Sequence, residues 1–303
     1  METELYKKYR PSNLDGVVGN APTVKALRKM IETGTVPASI LFHGPSGCGK
    51  TTLARILRDA LGCTQRDYFE MNSSNIRGID SIRELVPTLS LRANGKCKIY
   101  LLDEVHGLTK DAQNALLKML EDTPPRTHFF LCTTDPGKLI AAIRTRCTAL
   151  EVKLLKDVEM KSLVDFVCKS ESIVLSSAVY DALLSNAAGG ARRALVLLDR
   201  IRHLDEADQL ETLAADTVDG PQEVRELCQA LLNKKGWQVV AKLLKEIKEE
   251  PETVRLIILG YMNAVLLNSG KARAKEIMDS FATPFYDNGG KAMLTGSCFE
   301  VCT

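Results

Sequence analysis

Gly44-Pro45-Ser46-Gly47-Cys48-Gly49-Lys50-Thr51 has the spacing G-x-x-x-x-G-K-[ST] of the loop that holds phosphates in nucleoside triphosphatases. The apolar run Ile40-Leu41-Phe42 before it reads as a buried strand. The amphipathic run at 53–61 after it reads as a helix that stops at Gly62. A loop between a strand and a helix is the setting this motif requires. The chemistry explains the residue types. Glycines let backbone N–H groups curl around phosphate oxygens, and the helix N-terminus adds partial positive charge. Lys50 is placed to reach the β- and γ-phosphates, and the Thr51 hydroxyl to ligate Mg²⁺. Pro45, Ser46, Cys48 and Thr52 complete this part of the candidate nucleotide set.

Downstream, the apolar run 98–102 delivers two carboxylates, Asp103 and Glu104. A strand ending in such a pair is the second nucleotide motif: Asp103 is expected to serve the metal and Glu104 to polarise the attacking water as general base. His106 extends it to Asp-Glu-Val-His, a tetrad shared with helicase-like ATPases. Further strands are expected at 68–72, 128–132 and 149–152, and helices at 22–31, from about Asp80 into Leu85, and over 109–121 with Thr109 as cap. Strands alternating with helices predict a parallel sheet with its ligand at the strands' C-terminal ends, so a polar residue in Thr133-Thr134-Asp135 can meet the γ-phosphate or the attacking water. Arg144 and Arg146 lie close to this sheet. One of them can reach a neighbouring subunit's γ-phosphate, or both can form internal ion pairs. Tyr9, Arg10 and the segment around Val18 precede the loop, where they either touch the base or pin the N-terminus.

The 303 residues allow two or three domains. A charged fraction of 26% and an apolar fraction of 45% are ordinary for a globular protein. No apolar run approaches the length that spans a bilayer, and Met1-Glu2-Thr3-Glu4 is not a secretory signal, so neither a membrane nor secretion is expected. Nine cysteines without a C-x-x-C pair read as free thiols in a reducing compartment. Cys298 and Cys302 read either as a metal half-site or as packed thiols. Residues 1–203 carry a net charge of +7 and residues 204–303 a net charge of −5. A basic N-terminal part suits a polyanion such as DNA.

Residues 157–169, 176–186 and 190–203 read as three short helices. Arg192 and Arg193 fall in the first turn of the third, where the helix dipole disfavours cations, which points to one of them serving an anion. Apolar stripes then mark helices across 204–282, and Asp287-Asn288-Gly289-Gly290 reads as a turn.

Lys8-Tyr9-Arg10-Pro11, the phosphate loop, Arg77-Gly78-Ile79-Asp80, Asp103-Glu104-Val105-His106, Gln113-Asn114-Ala115-Leu116-Leu117-Lys118, Thr133-Thr134-Asp135 and Thr145-Arg146-Cys147 together resemble an AAA+ clamp-loader motor subunit. The chain is similar both to small subunits of replication factor C and to the bacterial gamma/tau subunit over about residues 5–203. The resemblance implies an α/β fold: a P-loop AAA+ parallel-sheet ATPase domain at 1–153, a three-helix lid at 154–204, and an all-helical collar at 205–303. It places Tyr9, Arg10 and Val18 at the adenine side and Gly44, Gly47 and Gly49 around phosphates. Lys50, Asp103, Glu104 and Thr134, the first sensor, would perform catalysis. Arg192 would be the second sensor and Arg146 a finger acting in trans. Arg77, Arg83 and Lys110 would follow the DNA backbone. Threonine at 145 stands where the family usually has serine, which keeps the hydroxyl. The stretch from Cys63 to Tyr68 is too short for the zinc module of the gamma/tau subunit, so ATP and Mg²⁺ are expected and zinc is not.

The expectation is therefore an ATPase that opens a sliding clamp and loads it on primer–template DNA within a five-membered ring of related subunits, in the cytoplasm or the nucleus. A Holliday-junction branch-migration motor is the rival among ATPases. A nucleotide-binding scaffold without turnover is the rival from another class, and intact Lys50 and Glu104 weigh against it.

Overall fold

Five apolar runs become strands: β1 Ser39–His43, β2 Tyr68–Asn72, β3 Lys98–Asp103, β4 Thr127–Thr133 and β5 Thr148–Glu151. They form one parallel sheet in the order β2-β3-β4-β1-β5, as expected from the alternation of strands and helices. Leu41 of β1 sits opposite Leu131 on one side and Ala149 on the other. This is a computed structural model, and it describes residues 4–73, 78–216, 221–285 and 290–302. The chain divides into two units, residues 1–171 with 187–196, and residues 172–186 with 197–303.

In the first unit, alternation along the strands builds two apolar layers. Leu41, Tyr100, Leu102, Phe129 and Leu131 join Leu116 and Met119 of the helix Lys110–Glu121 on one face. Ile40, Phe42, Ile99, Leu101 and Phe130 join Leu53 and Leu57 of the helix Lys50–Ala60 on the other. Both faces are covered, so the central strands are buried almost throughout, as parallel strands require. Stacked rings tie three neighbouring strands together, Phe69 to Tyr100 at 4.9 Å and Tyr100 to Phe129 at 5.0 Å.

The helix expected from about Asp80 into Leu85 is Ile79–Arg83, and a second short helix, Val86–Leu89, follows it. Pro87 lies in the first turn of the second, where its missing N–H is tolerated but a continuing helix is not. Two buried charges pin this excursion. Asp67, 1% exposed, accepts from Thr64 Oγ1 and from the backbone N–H groups of Asn94 and Gly95. Lys98, 3% exposed, donates to the carbonyls of Thr88 and Leu91. Thr109 caps the helix Lys110–Glu121 as expected, its hydroxyl accepting from the Ala112 N–H at 3.3 Å.

The second unit is helical. Gln222–Leu232, Trp237–Glu246, Pro251–Ser269, Ala272–Ser280 and Gly290–Cys302 share a single apolar cluster with Tyr261 and Phe281 fully buried. The segment after 290, which carries no clear periodic signal, is a helix whose Leu294, Cys298 and Val301 recur on one face and enter that cluster. Cys298 is therefore a packed thiol. The expected turn at 287–289 lies outside the described residues, and Gly290 opens the helix. Among the described residues no helix is long and apolar enough to cross a membrane.

Candidate nucleotide site

The phosphate loop leaves the C-terminal end of β1 and runs directly into the helix Lys50–Ala60, which begins three residues earlier than the apolar stripe indicates. Gly44, Gly47 and Gly49 all have positive φ, at 152°, 74° and 106°. Gly44 admits no side chain: a Cβ there would stand 1.9 Å from the Val152 carbonyl oxygen. Its N–H donates to the Thr133 carbonyl at 3.2 Å, so the loop is tied at its base to β4. Cys48 is buried within the loop, and burial pushes its thiol pKa up, so it brings no charge to a phosphate site.

Strand order brings the two motifs together. β4 separates β1 from β3, and the loop and the carboxylates meet across its C-terminal end. Thr51 Oγ1 donates to Asp103 Oδ2 at 2.8 Å. Both are hard oxygen donors, and their spacing is close to the about 3 Å between adjacent ligands of a cation with about 2.1 Å bonds, so the pair fits Mg²⁺. Lys50 is buried at 5% exposure and donates to the carbonyls of Gly44 and Pro45, both at 2.8 Å. Glu104 takes a left-handed backbone with φ of 51°, an uncommon conformation for a residue of this type and one that clusters at functional sites. Thr134 Oγ1 donates to Glu104 Oε2 at 3.3 Å, and His106 Nδ1 lies 3.2 Å from the same oxygen. His106 Nδ1 is also 3.1 Å from the fully buried hydroxyl of Thr133. Glu104 is thus aimed by two strand-end neighbours.

A cleft of about 250 Å³ opens over this group. Its walls include Tyr9, Arg10, Val18, the loop from Ser46 through Thr52, Asp103, Glu104 and Arg192. Of the expected residues, Gly44, Pro45 and Thr134 are not in these walls, the first two receiving Lys50 and the third bonding Glu104. Tyr9 packs edge-on against Phe166 at 5.9 Å, and its hydroxyl donates to Glu171. Burial and the bond to Glu171 raise its pKa. The Arg10 pKa is lowered, first by burial and then by the cations of Arg55 and Arg192. The cleft is therefore a place where positive charge accumulates and an anion is welcome.

Three other expected residues lie away from the cleft walls. Arg146, at the end of the helix Ala141–Arg146, pairs with Glu121 at 3.0 Å, both about 40% exposed. Arg83 pairs with Asp80 at 3.3 Å on the surface, and Lys110 is exposed at the start of its helix. Arg77 lies outside the described residues. Sequence reading missed the apolar wall made by Leu155, Leu163, Phe166 and Leu195, as well as Tyr6. No local signal marks these: Leu163, Phe166 and Leu195 sit on helices whose pattern names no ligand, Leu155 lies in the segment before the helix Asp157–Glu171, and Tyr6 lies in a stretch without helical periodicity.

Residues 67–156 match the family described as DNA polymerase III, delta subunit. The chain is 33% identical over 252 residues to replication factor C subunit 3 of Blastobotrys adeninivorans, covering 80% of this chain and 74% of that protein. It is 31% identical over 221 residues to DNA polymerase III subunit gamma/tau of Mycobacterium bovis, covering 65% of this chain but only 38% of that longer protein. Among solved structures, the Thermotoga maritima RuvB Holliday junction branch migration motor superposes with a TM-score of 0.56 over 88% of this chain and 94% of that one. At 22% identity that likeness is one of fold. Identity and coverage against the replication factor C subunit, on a sheet that assembles both nucleotide motifs, place this chain in the family of clamp-loader AAA+ ATPase subunits.

Proposed function

We propose that this chain is an ATP-hydrolysing clamp-loader subunit that helps open a sliding clamp and place it on primer–template DNA during replication. The reading rests on the Thr51–Asp103 pair, which lines one cleft together with Lys50, Glu104, Arg10 and Arg192. The phosphate loop and Lys50 would hold the triphosphate, with Arg10, Tyr9 and Val18 toward the base. Thr51 and Asp103 would hold Mg²⁺, which when bound neutralises phosphate charge. Glu104 would take a proton from water as its oxygen adds to the γ-phosphorus and the bond to the β-phosphate oxygen breaks. Thr134 would keep Glu104 and the water aligned, and Arg192 would meet the phosphates from the opposite wall.

The finer assignments extend this reading. Arg146 would act on a neighbouring subunit's nucleotide in a five-membered ring, and Arg77, Arg83 and Lys110 would follow the DNA backbone. Residues 1–153 would be the motor domain, 154–204 the lid and 205–303 the collar. Clamp and DNA would stimulate hydrolysis. Glu104→Gln tests the core of the proposal. It should leave ATP affinity nearly unchanged and lower turnover by about 10²-fold or more. Turnover that survives in the variant removes Glu104 as the base.

A further inference from the structure

The short N-terminal helix Leu5–Lys8 is anchored by fully buried Leu5 and brings two tyrosines to the cleft. Tyr9 is accounted for by Phe166 and Glu171, and Lys8 adds an ion pair to the same Glu171 at 2.6 Å. Tyr6 has no part in the mechanism above. Its ring lies under Arg192, with the guanidinium carbon 4.9 Å from the ring centre. Lys7 also approaches this ring, at 5.5 Å, but its ammonium is paired with Glu4.

Arg192 needs a support of this kind. It is the second residue of the helix Ala191–Ile201, where the partial positive charge of its own helix opposes it. It shares the cleft with Arg10, another cation. Among the described residues its guanidinium shows no hydrogen bond or ion pair, and the nearby Glu4 carboxylate, which it attracts from farther off, is paired with Lys7. A carboxylate in Tyr6's place would hold Arg192 by occupying its N–H donors, and so compete with phosphate. An aromatic face holds the guanidinium by its plane and leaves the in-plane donors open. The Arg192 Cβ lies 3.7 Å from where a Cβ on Gly47 would be, so the side chain so held stands over the phosphate loop.

The geometry points to Tyr6 as a positioning residue that seats Arg192 over the phosphate loop for ATP binding. This rests on the reading of Arg192 as a phosphate ligand. The test measures Mg²⁺-ATP dissociation constants by calorimetry on the full chain and on Y6L, Y6F, R192A and Y6L/R192A, at a temperature where circular dichroism shows each variant folded. Y6L should weaken binding about threefold, the size of an exposed cation–π contact, while Y6F keeps the ring and binds like the parent. Adding Y6L to R192A should cost nothing further. Parent-like binding by Y6L beside a clear loss in R192A overturns the role of Tyr6 and leaves Arg192 as a ligand. An equal loss from Y6L with and without Arg192 also overturns it, since Tyr6 then acts by another route. A loss in Y6F as large as in Y6L assigns the effect to the hydroxyl and overturns the stacking argument. Unchanged binding by R192A removes the phosphate-ligand reading itself, and the inference with it.

Discussion

The strand ends of the sheet and the interior of the helical unit bury polar side chains for different ends. At the C-terminal ends of the strands Lys50 and Thr133 are almost wholly enclosed, Lys50 bonded to carbonyls of the phosphate loop and Thr133 to His106, while away from the site buried Asp67, Lys98 and Gln113 hold backbone. In the helical unit, buried polar groups close off backbone. Asn186 donates to the Leu213 carbonyl at 2.7 Å, Gln209 to Ile201 at 3.0 Å and Arg255 to Phe281 at 2.9 Å. Helix ends expose carbonyls that need partners, so an all-helical core recruits amides and guanidinium groups to satisfy them. A parallel sheet satisfies its own backbone, which frees polar side chains at its strand ends for chemistry. Burial of a polar side chain therefore does not by itself mark function here: both units use it to hold backbone, and only at the strand ends does it also reach the Glu104–His106 pair.

The comparison is most exposed to a large cavity in the helical unit. Phe281 is fully buried there, beside Phe285 at 6.3 Å. Phe281→Ala should cost that unit about 3–5 kcal/mol in denaturant unfolding. ATP affinity should stay within about twofold of the parent if the polar groups of the helical unit serve structure alone. A tenfold loss of affinity would break the contrast.

Next in size is acid. Among the described residues each unit holds one carboxylate lowered to about 2, Asp67 and Glu252. Burial pushes Asp67 up, but the Thr64 hydroxyl, the N–H groups of Asn94 and Gly95 and the Asn94 side chain outweigh it. For Glu252 the bidentate bond from Arg255 and the N–H of Phe285 bring it down. A carboxylate depressed in the folded state contributes stability above its ordinary pKa, about 3.9 for aspartate and about 4.3 for glutamate, and loses it as pH falls toward its folded value. Between pH 4 and pH 2 the sheet unit should therefore lose about 2 kcal/mol through Asp67. Asp67→Asn should flatten that slope in urea titrations. An unchanged slope would show that other carboxylates carry the acid response.

The smallest effect sharpens the proposed role of Arg146. Its pair with Glu121 is exposed, so Arg146→Ala should change stability by less than about 1 kcal/mol. Hydrolysis should fall only in the assembled ring. Equal loss in the isolated chain would end the trans assignment.

Sequence reading carried furthest where a motif and its setting reinforce each other. Three glycines, a lysine and a threonine at fixed spacing between an apolar run and an amphipathic one leave little room for another loop. The Asp103-Glu104 pair was legible for the same reason, since a buried strand must end where carboxylates begin. Thr109 was legible as a cap because capping is local. The Tyr9–Glu171 bond was not, because it spans 162 residues and no pattern in either segment signals the other. Tyr6 was hidden too, since only the fold reveals what lies across its ring. The helix Gly290–Cys302 was missed because Gly, Thr, Ser and Cys dilute its apolar stripe, and packing decides it.

The Asp67 cradle has a consequence for how this chain can change in length. Its bonds to Asn94 and Gly95 close an excursion of 28 residues without a covalent link. The entropy of closing a loop rises only with the logarithm of its length, so doubling it adds about 0.6 kcal/mol. With the two ends held, residues inserted beside exposed Arg92, between the Leu91 carbonyl that receives Lys98 and the Asn94 N–H that reaches Asp67, cost little, and the sheet keeps its register. The excursion is a tolerant graft site, one where a tag or a short recognition peptide can be spliced without disturbing the nucleotide cleft.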